Sequence, residues 1–113
     1  MIEVNEMAAQ GDVLFRRIAS LPPDVSEQAS DGPIVVTHSE TGHHHLIDDP
    51  EVRLYEKRTR DPMICFLSVE GDFADLVHQR PHDTHETLRL RHGIWEVRRQ
   101  REWFPEGTRR LED

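Results

Sequence analysis

At 113 residues the chain has the size of one domain with one hydrophobic core. Only 35% of its residues are apolar against 32% charged, so the core is thin, as in a small sheet protein with one well-buried face. A formal net charge of −8 keeps such a molecule soluble and counts against non-specific binding to DNA, RNA or an anionic membrane surface.

The first ten residues mix acidic and apolar side chains without a clear period and read as a short strand or an ordered arm. Gly11-Asp12 marks a turn. Val13-Leu14-Phe15-Arg16-Arg17-Ile18 is rich in β-formers, which places the first firm strand at about 12–18. Residues 22–33 carry Pro22, Pro23, Ser26, Ser30, Gly32 and Pro33 with little apolar content, the composition of an exposed, mobile loop. A short helical turn at 24–29, capped by Asp24 with Glu27 three residues on, fits the same stretch.

From Pro33 onward, short β-rich runs separated by Gly, Pro, Asp or Ser predict strands at 34–38, 44–48, 52–57, 63–69, 73–78, 86–90 and 94–103. About ten residues per strand is the spacing of an all-β sandwich or barrel and too tight for βαβ units. The expectation is therefore a single all-β domain over 1–113, an antiparallel barrel or sandwich of short strands. Asp48-Asp49-Pro50 and Glu70-Gly71-Asp72 are the clearest hairpin turns. In the last strand Trp95 and Val97 share the core face. Beyond them both faces turn polar, so the strand either leaves the sheet or borders a polar cavity.

The lone cysteine, Cys65, lies in the apolar run Met63-Ile64-Cys65-Phe66-Leu67 with no basic neighbour, and reads as a buried structural thiol rather than a nucleophile. One cysteine fits a reducing compartment. The N-terminal stretch lacks a basic segment followed by an apolar one, and no run approaches the roughly 18 apolar residues of a membrane span. Cytoplasmic is the simplest location. Charge is uneven along the chain: residues 1–79 hold 6 Lys/Arg against 15 Asp/Glu, and residues 80–113 hold 8 against 7. The C-terminal arginines, Arg89, Arg91, Arg98, Arg99, Arg101, Arg109 and Arg110, are a fork-shaped donor set for phosphate or carboxylate. Pairing with the protein's own acidic excess is the commoner fate of surface arginine.

Eight histidines are far more than ordinary usage, and they fall mainly in two blocks. Alternate residues of a strand project from one face, so His43 and His45 share a side and His44 opposes them. Such a His-x-His pair delivers two neutral nitrogens to a metal ion. His78, His82 and His85 supply further ligands, with Glu40 and Glu86 as possible carboxylates. A set of three or four imidazoles suits Zn²⁺, Fe²⁺, Mn²⁺ or Ni²⁺ without selecting among them. The plainer reading is that these histidines are solvated loop residues hydrogen-bonded to nearby acids. No nucleophile elbow surrounds Ser39 or Ser68, and no Gly-rich phosphate loop is present.

The combination Gln10-Gly11-Asp12-Val13-Leu14, Thr41-Gly42-His43-His44-His45, Leu76-Val77-His78 and Trp95-Glu96-Val97-Arg98-Arg99-Gln100-Arg101-Glu102 resembles a family of small uncharacterised bacterial proteins of about this length. That resemblance implies a single-domain bacterial protein and carries no catalytic residues. His43-His44-His45 is also similar to the His-x-His of the cupin first motif, although Thr37 and Arg58 stand where its two glycines would fall. Two functional expectations follow. In the first, a compact β protein binds a divalent metal or a small polar ligand through His43, His45 and one or more of His78, His82 and His85; if it is an enzyme, Glu86 or Glu40 serves as base. In the second, a non-catalytic module docks on a partner protein or a second copy of itself through its Arg-rich final strand and Trp103-Phe104.

Overall fold

A computed structural model of the chain describes residues 2–10, 13–29, 32–38, 44–59, 63–79 and 85–99; at 10, 37, 38, 44, 45, 78, 79, 85 and 86 it is the backbone position that is used. Nine strands and no helix occur among these residues: β1 Ile2–Val4, β2 Met7–Gln10, β3 Val13–Ile18, β4 Val25–Gln28, β5 Ile34–His38, β6 His44–Ile47, β7 Val52–Lys57, β8 Ile64–Gln79 and β9 His85–Arg99. The protein is all-β, as its spacing of β-rich runs predicts. All nine strands belong to one sheet, in the order β2-β3-β9-β8-β6-β5, with β1 added on β9 and β7 followed by β4 added on β8. That sheet is not closed into a barrel. Its pairing is antiparallel except for β1, which runs parallel to β9.

The largest departure from the expected short-strand meander is the β8/β9 hairpin. Glu70-Gly71-Asp72 predicts a chain reversal, yet the backbone runs straight through it as one strand of 16 residues. Turn-forming residues inside a long strand mark a bulge or bend when the partner strand bends at the same place. Here the partner does so, because Gly93 faces Val69 and the register shifts between Val69 and Phe73. Sixteen extended residues would span about 50 Å, longer than the 40 Å maximum extent of the molecule, so the hairpin must fold over.

The shift also inverts the side-chain alternation. Before the bend the core takes Cys65, Leu67 and Val69 from β8, and after it Ala74 and Leu76; on β9 it takes Leu88 and Leu90, then Trp95 and Val97. Between the Val69–Gly93 and Phe73–Arg91 pairs β8 carries two more residues than β9, and both strands change their alternation there, so that both halves face the same interior. The hairpin thus carries two wings. Its first half pairs with β7 and β3, and its second half with β6 and β1. Val13, Phe15, Ile34, Val36, Ile47 and Val52 from these wings join the same buried cluster.

Gly93 makes the bend possible. Its φ of +142° lies in a region that side chains with a Cβ avoid. Arg17 then secures it: Nη2 donates to the His92 carbonyl at 2.6 Å, and the His92 ring nitrogen Nδ1 lies 3.0 Å from the Gly71 carbonyl oxygen. Trp95, the largest fully buried side chain among the described residues, satisfies its indole N–H by donating to the Arg91 carbonyl at 2.9 Å.

The expected loop at 22–33 contains a strand. Val25–Gln28 is a strand paired antiparallel with β7 from Val25↔Lys57 to Gln28↔Leu54. The free edge of β7 supplies a ladder there that no local propensity announces, so the expected helical turn at 24–29 does not form. Asp49-Pro50 does form the expected turn, with Val52 N–H donating to the Asp49 carbonyl and Glu51 N–H to the Asp49 carboxylate. Among the described residues no helix is long and apolar enough to cross a membrane.

Candidate functional site

The folded hairpin brings the outer ends of the two wings together. The link is Arg99, the last residue of β9. It follows Trp95 and Val97 in the inward-facing set, and its Nη1 donates across the gap to the carbonyl of Val36 in β5 at 2.9 Å, a contact between residues 63 apart in sequence. The backbone of Arg99 is held by its N–H donating to the Met63 carbonyl. Arg99 is only 14% exposed, and the nearest Glu56 oxygen lies 4.0 Å from Nη2. Both Nε and Nη2 are buried without a hydrogen-bond partner. A buried polar group without a partner is an exception that calls for an explanation.

Beside Arg99 lie Glu56 and Cys65, which oppose each other in the β7/β8 register; Cys65 in turn faces Val97. Burial pushes the Cys65 thiol up to about 11, while the nearby Arg99 cation acts in the opposite direction and Glu56 reinforces the rise. The thiol stays protonated at neutral pH and is a packing group, as its apolar surroundings in sequence predict.

The other wing contributes the histidine positions. Ile47, Leu76 and Leu88 are inward-facing register partners on β6, β8 and β9. One layer further out, His45 pairs with His78, and His78 pairs with His85, with Thr37 of β5 completing the row next to His45. A register irregularity between Leu76 and His78 keeps positions 78 and 85 opposed. Since Thr37 follows Val36, whose carbonyl holds Arg99, this row ends beside the arginine.

The predicted site residues therefore sort as follows. His45, His78 and His85 occupy one crosswise register row on three neighbouring strands. His43, His82 and Glu40 lie outside the described residues, so the His43/His45 pair does too. His44 pairs with Gln79 and His38, one position along from the row. His92 is at the bend. Among the described residues there is no group of three or more His, Cys, Asp or Glu side chains disposed to hold a metal.

Arg89, Arg91 and Arg98 of β9 are neutralised within the molecule. Arg89 grips Asp75 with two bonds of 2.8 and 3.1 Å and stacks over Phe73, 3.7 Å from the ring centre. Arg91 reaches Glu3 at 2.8 Å, and Glu96 takes both Arg98 and Arg16. β9 is an interior strand, flanked by β8 on one side and by β3 and β1 on the other. Arg101, Trp103 and Phe104 lie outside the described residues.

Two further depressions are lined by groups that already hold one another. A cleft of about 300 Å³ between β4, β7 and the Asp49-Pro50 turn contains Arg53 bridging Glu27 at 2.8 Å and Glu70 at 3.2 Å. A groove of about 400 Å³ at the bend contains Arg17 and His92.

Arg99, Glu56 and the 45/78/85 row were not foreseen as one place. The signal for Arg99 was the inward set Trp95, Val97, Arg99 turning charged at its last member, and the link to Val36 had no trace in the linear pattern. A protein-family model described as "Domain of unknown function (DUF8820)" matches residues 9–100. No curated protein and no solved structure matches the chain.

Proposed function

The chain belongs to this domain family of unknown function, and from that premise we propose that it is a binding protein that holds a divalent metal ion through His45, His78 and His85. The observation that carries this reading is the row itself, three histidine positions in direct register on three adjacent strands. The outer two of three neighbouring strands stand about 9.5 Å apart, a span that two imidazoles bridge when their nitrogens each approach an ion to about 2.0–2.1 Å. Three neutral nitrogens leave a coordination position open for water or a small polar ligand. His43 and His82 are the nearest in sequence for a fourth ligand. Zn²⁺, Fe²⁺, Mn²⁺ and Ni²⁺ all suit such a set. If the protein is an enzyme, the ion would act as Lewis acid, with Glu86 or Glu40 as base.

Metal analysis of protein purified without an affinity tag tests this directly. The expected result is one metal ion per chain, lost in His45→Ala, His78→Ala and His85→Ala. Zinc at a hundredfold excess over its dissociation constant should stabilise the wild type by about 2.7 kcal/mol, or about 10 °C in the melting temperature of a chain this size. If no metal co-purifies and Zn²⁺ shifts the melting of the wild type and the variants equally, the reading is wrong.

A further inference from the structure

We infer that the free edge of the Arg99 guanidinium, where the outer ends of the two wings meet, is a receptor for the carboxylate of a small monoanionic ligand. Arg99 is fixed from two sides, by its Nη1 bond to the Val36 carbonyl and by its backbone bond to Met63. Nε and Nη2, which lie along one edge of the planar group, are both buried and both lack a partner. Two parallel N–H donors at one edge match the two oxygens of a carboxylate, which is the strong bidentate pairing of arginine. Leaving two such donors unsatisfied in a buried setting is costly, and a bound carboxylate removes that cost.

Glu56 does not fill the role. Its oxygen is 4.0 Å from Nη2, beyond hydrogen-bond reach, and its side chain is 40% exposed. It supplies a nearby counter-charge from the more exposed of the two side chains. Its presence also sets the class of ligand. A phosphate dianion would meet Glu56 with twice the repulsion of a carboxylate, and no second described cation stands beside Arg99 to offset it. The ligand is therefore a monocarboxylate.

The inference does not depend on metal at the histidine row. It is tested with acetate on the full chain, in both the wild type and the His45→Ala protein, so that loss of the metal reading leaves this one standing. Acetate replaces chloride at constant ionic strength while the Arg99 Nε–H resonance and the melting temperature are followed. A saturable shift of that resonance with a rise in melting temperature is expected. In Arg99→Lys, which keeps the charge and loses the fork, the thermal response disappears; in Glu56→Gln acetate binds several-fold more tightly. The inference fails if the resonance does not respond saturably, if Arg99→Lys keeps the thermal response, or if inorganic phosphate binds as well as acetate.

Discussion

Replacing Gly93 by alanine tests whether the bend of the β8/β9 hairpin holds the two wings together. At φ +142° a Cβ is sterically excluded, and forcing a non-glycine residue into such a region costs about 1–3 kcal/mol. The new methyl carbon would stand 2.7 Å from Arg17 Nε. Arg17 must then withdraw, giving up its 2.6 Å bond to the His92 carbonyl. Hydrogen bonds from charged donors are worth about 1.5–3 kcal/mol when buried, and for the partly exposed Arg17 about 1 kcal/mol is the appropriate share. The sum is about 2–4 kcal/mol, or roughly 8–16 °C at about 4 °C per kcal/mol.

Urea unfolding of Gly93→Ala measures this through a lower midpoint at unchanged slope. The double variant with Arg17→Ala separates the two parts, since without the guanidinium only the backbone share, about 1–3 kcal/mol, remains. A loss below about 1 kcal/mol in the wild-type background would refute the strain argument. Equal losses in both backgrounds would remove Arg17 from it.

Cys65 makes stability depend on alkaline pH. The unfolded thiol ionises near its ordinary 9.0 while the buried one holds its proton to about 11, so the folded state is favoured fully below pH 9 and loses on the order of 2 kcal/mol as pH rises through 11. Urea midpoints across this range should fall in the wild type and not in Cys65→Ala beyond their common background; parallel curves would mean that another group is responsible. Trp95→Ala should cost about 3–5 kcal/mol, because the fully buried ring is lost together with the bond that its N–H makes to Arg91. Trp95→Phe should recover most of that loss in the same denaturation assay, and failure to do so would make the N–H bond the dominant contribution.

The all-β class and the strands at 34–38, 44–47 and 52–57 were readable because their alternation and turn residues act locally. The continuity of β8 was not. Gly71 reads as a turn in isolation, and only Gly93, twenty-two residues away and bending at the same level, makes it a mid-strand bulge. For β4 the reason is similar: Val25–Gln28 has no strand propensity to advertise and is recruited by the free edge of β7. Local chemistry announces turns, and long-range pairing decides whether a turn reverses the chain or merely bends it.

The same distinction bears on where this protein acts. Where the two wings meet, the inward set of two strands is apolar until its last member and then becomes ionisable: Val97 gives way to Arg99 on β9 and Leu54 to Glu56 on β7. A sheet that needed only a core would continue these sets with apolar residues or end them in solvated loops, because ionisable groups at inward positions carry a desolvation cost. Two strands making the same switch, with an arginine edge left unsatisfied, is a departure from folding logic of the kind found at functional sites.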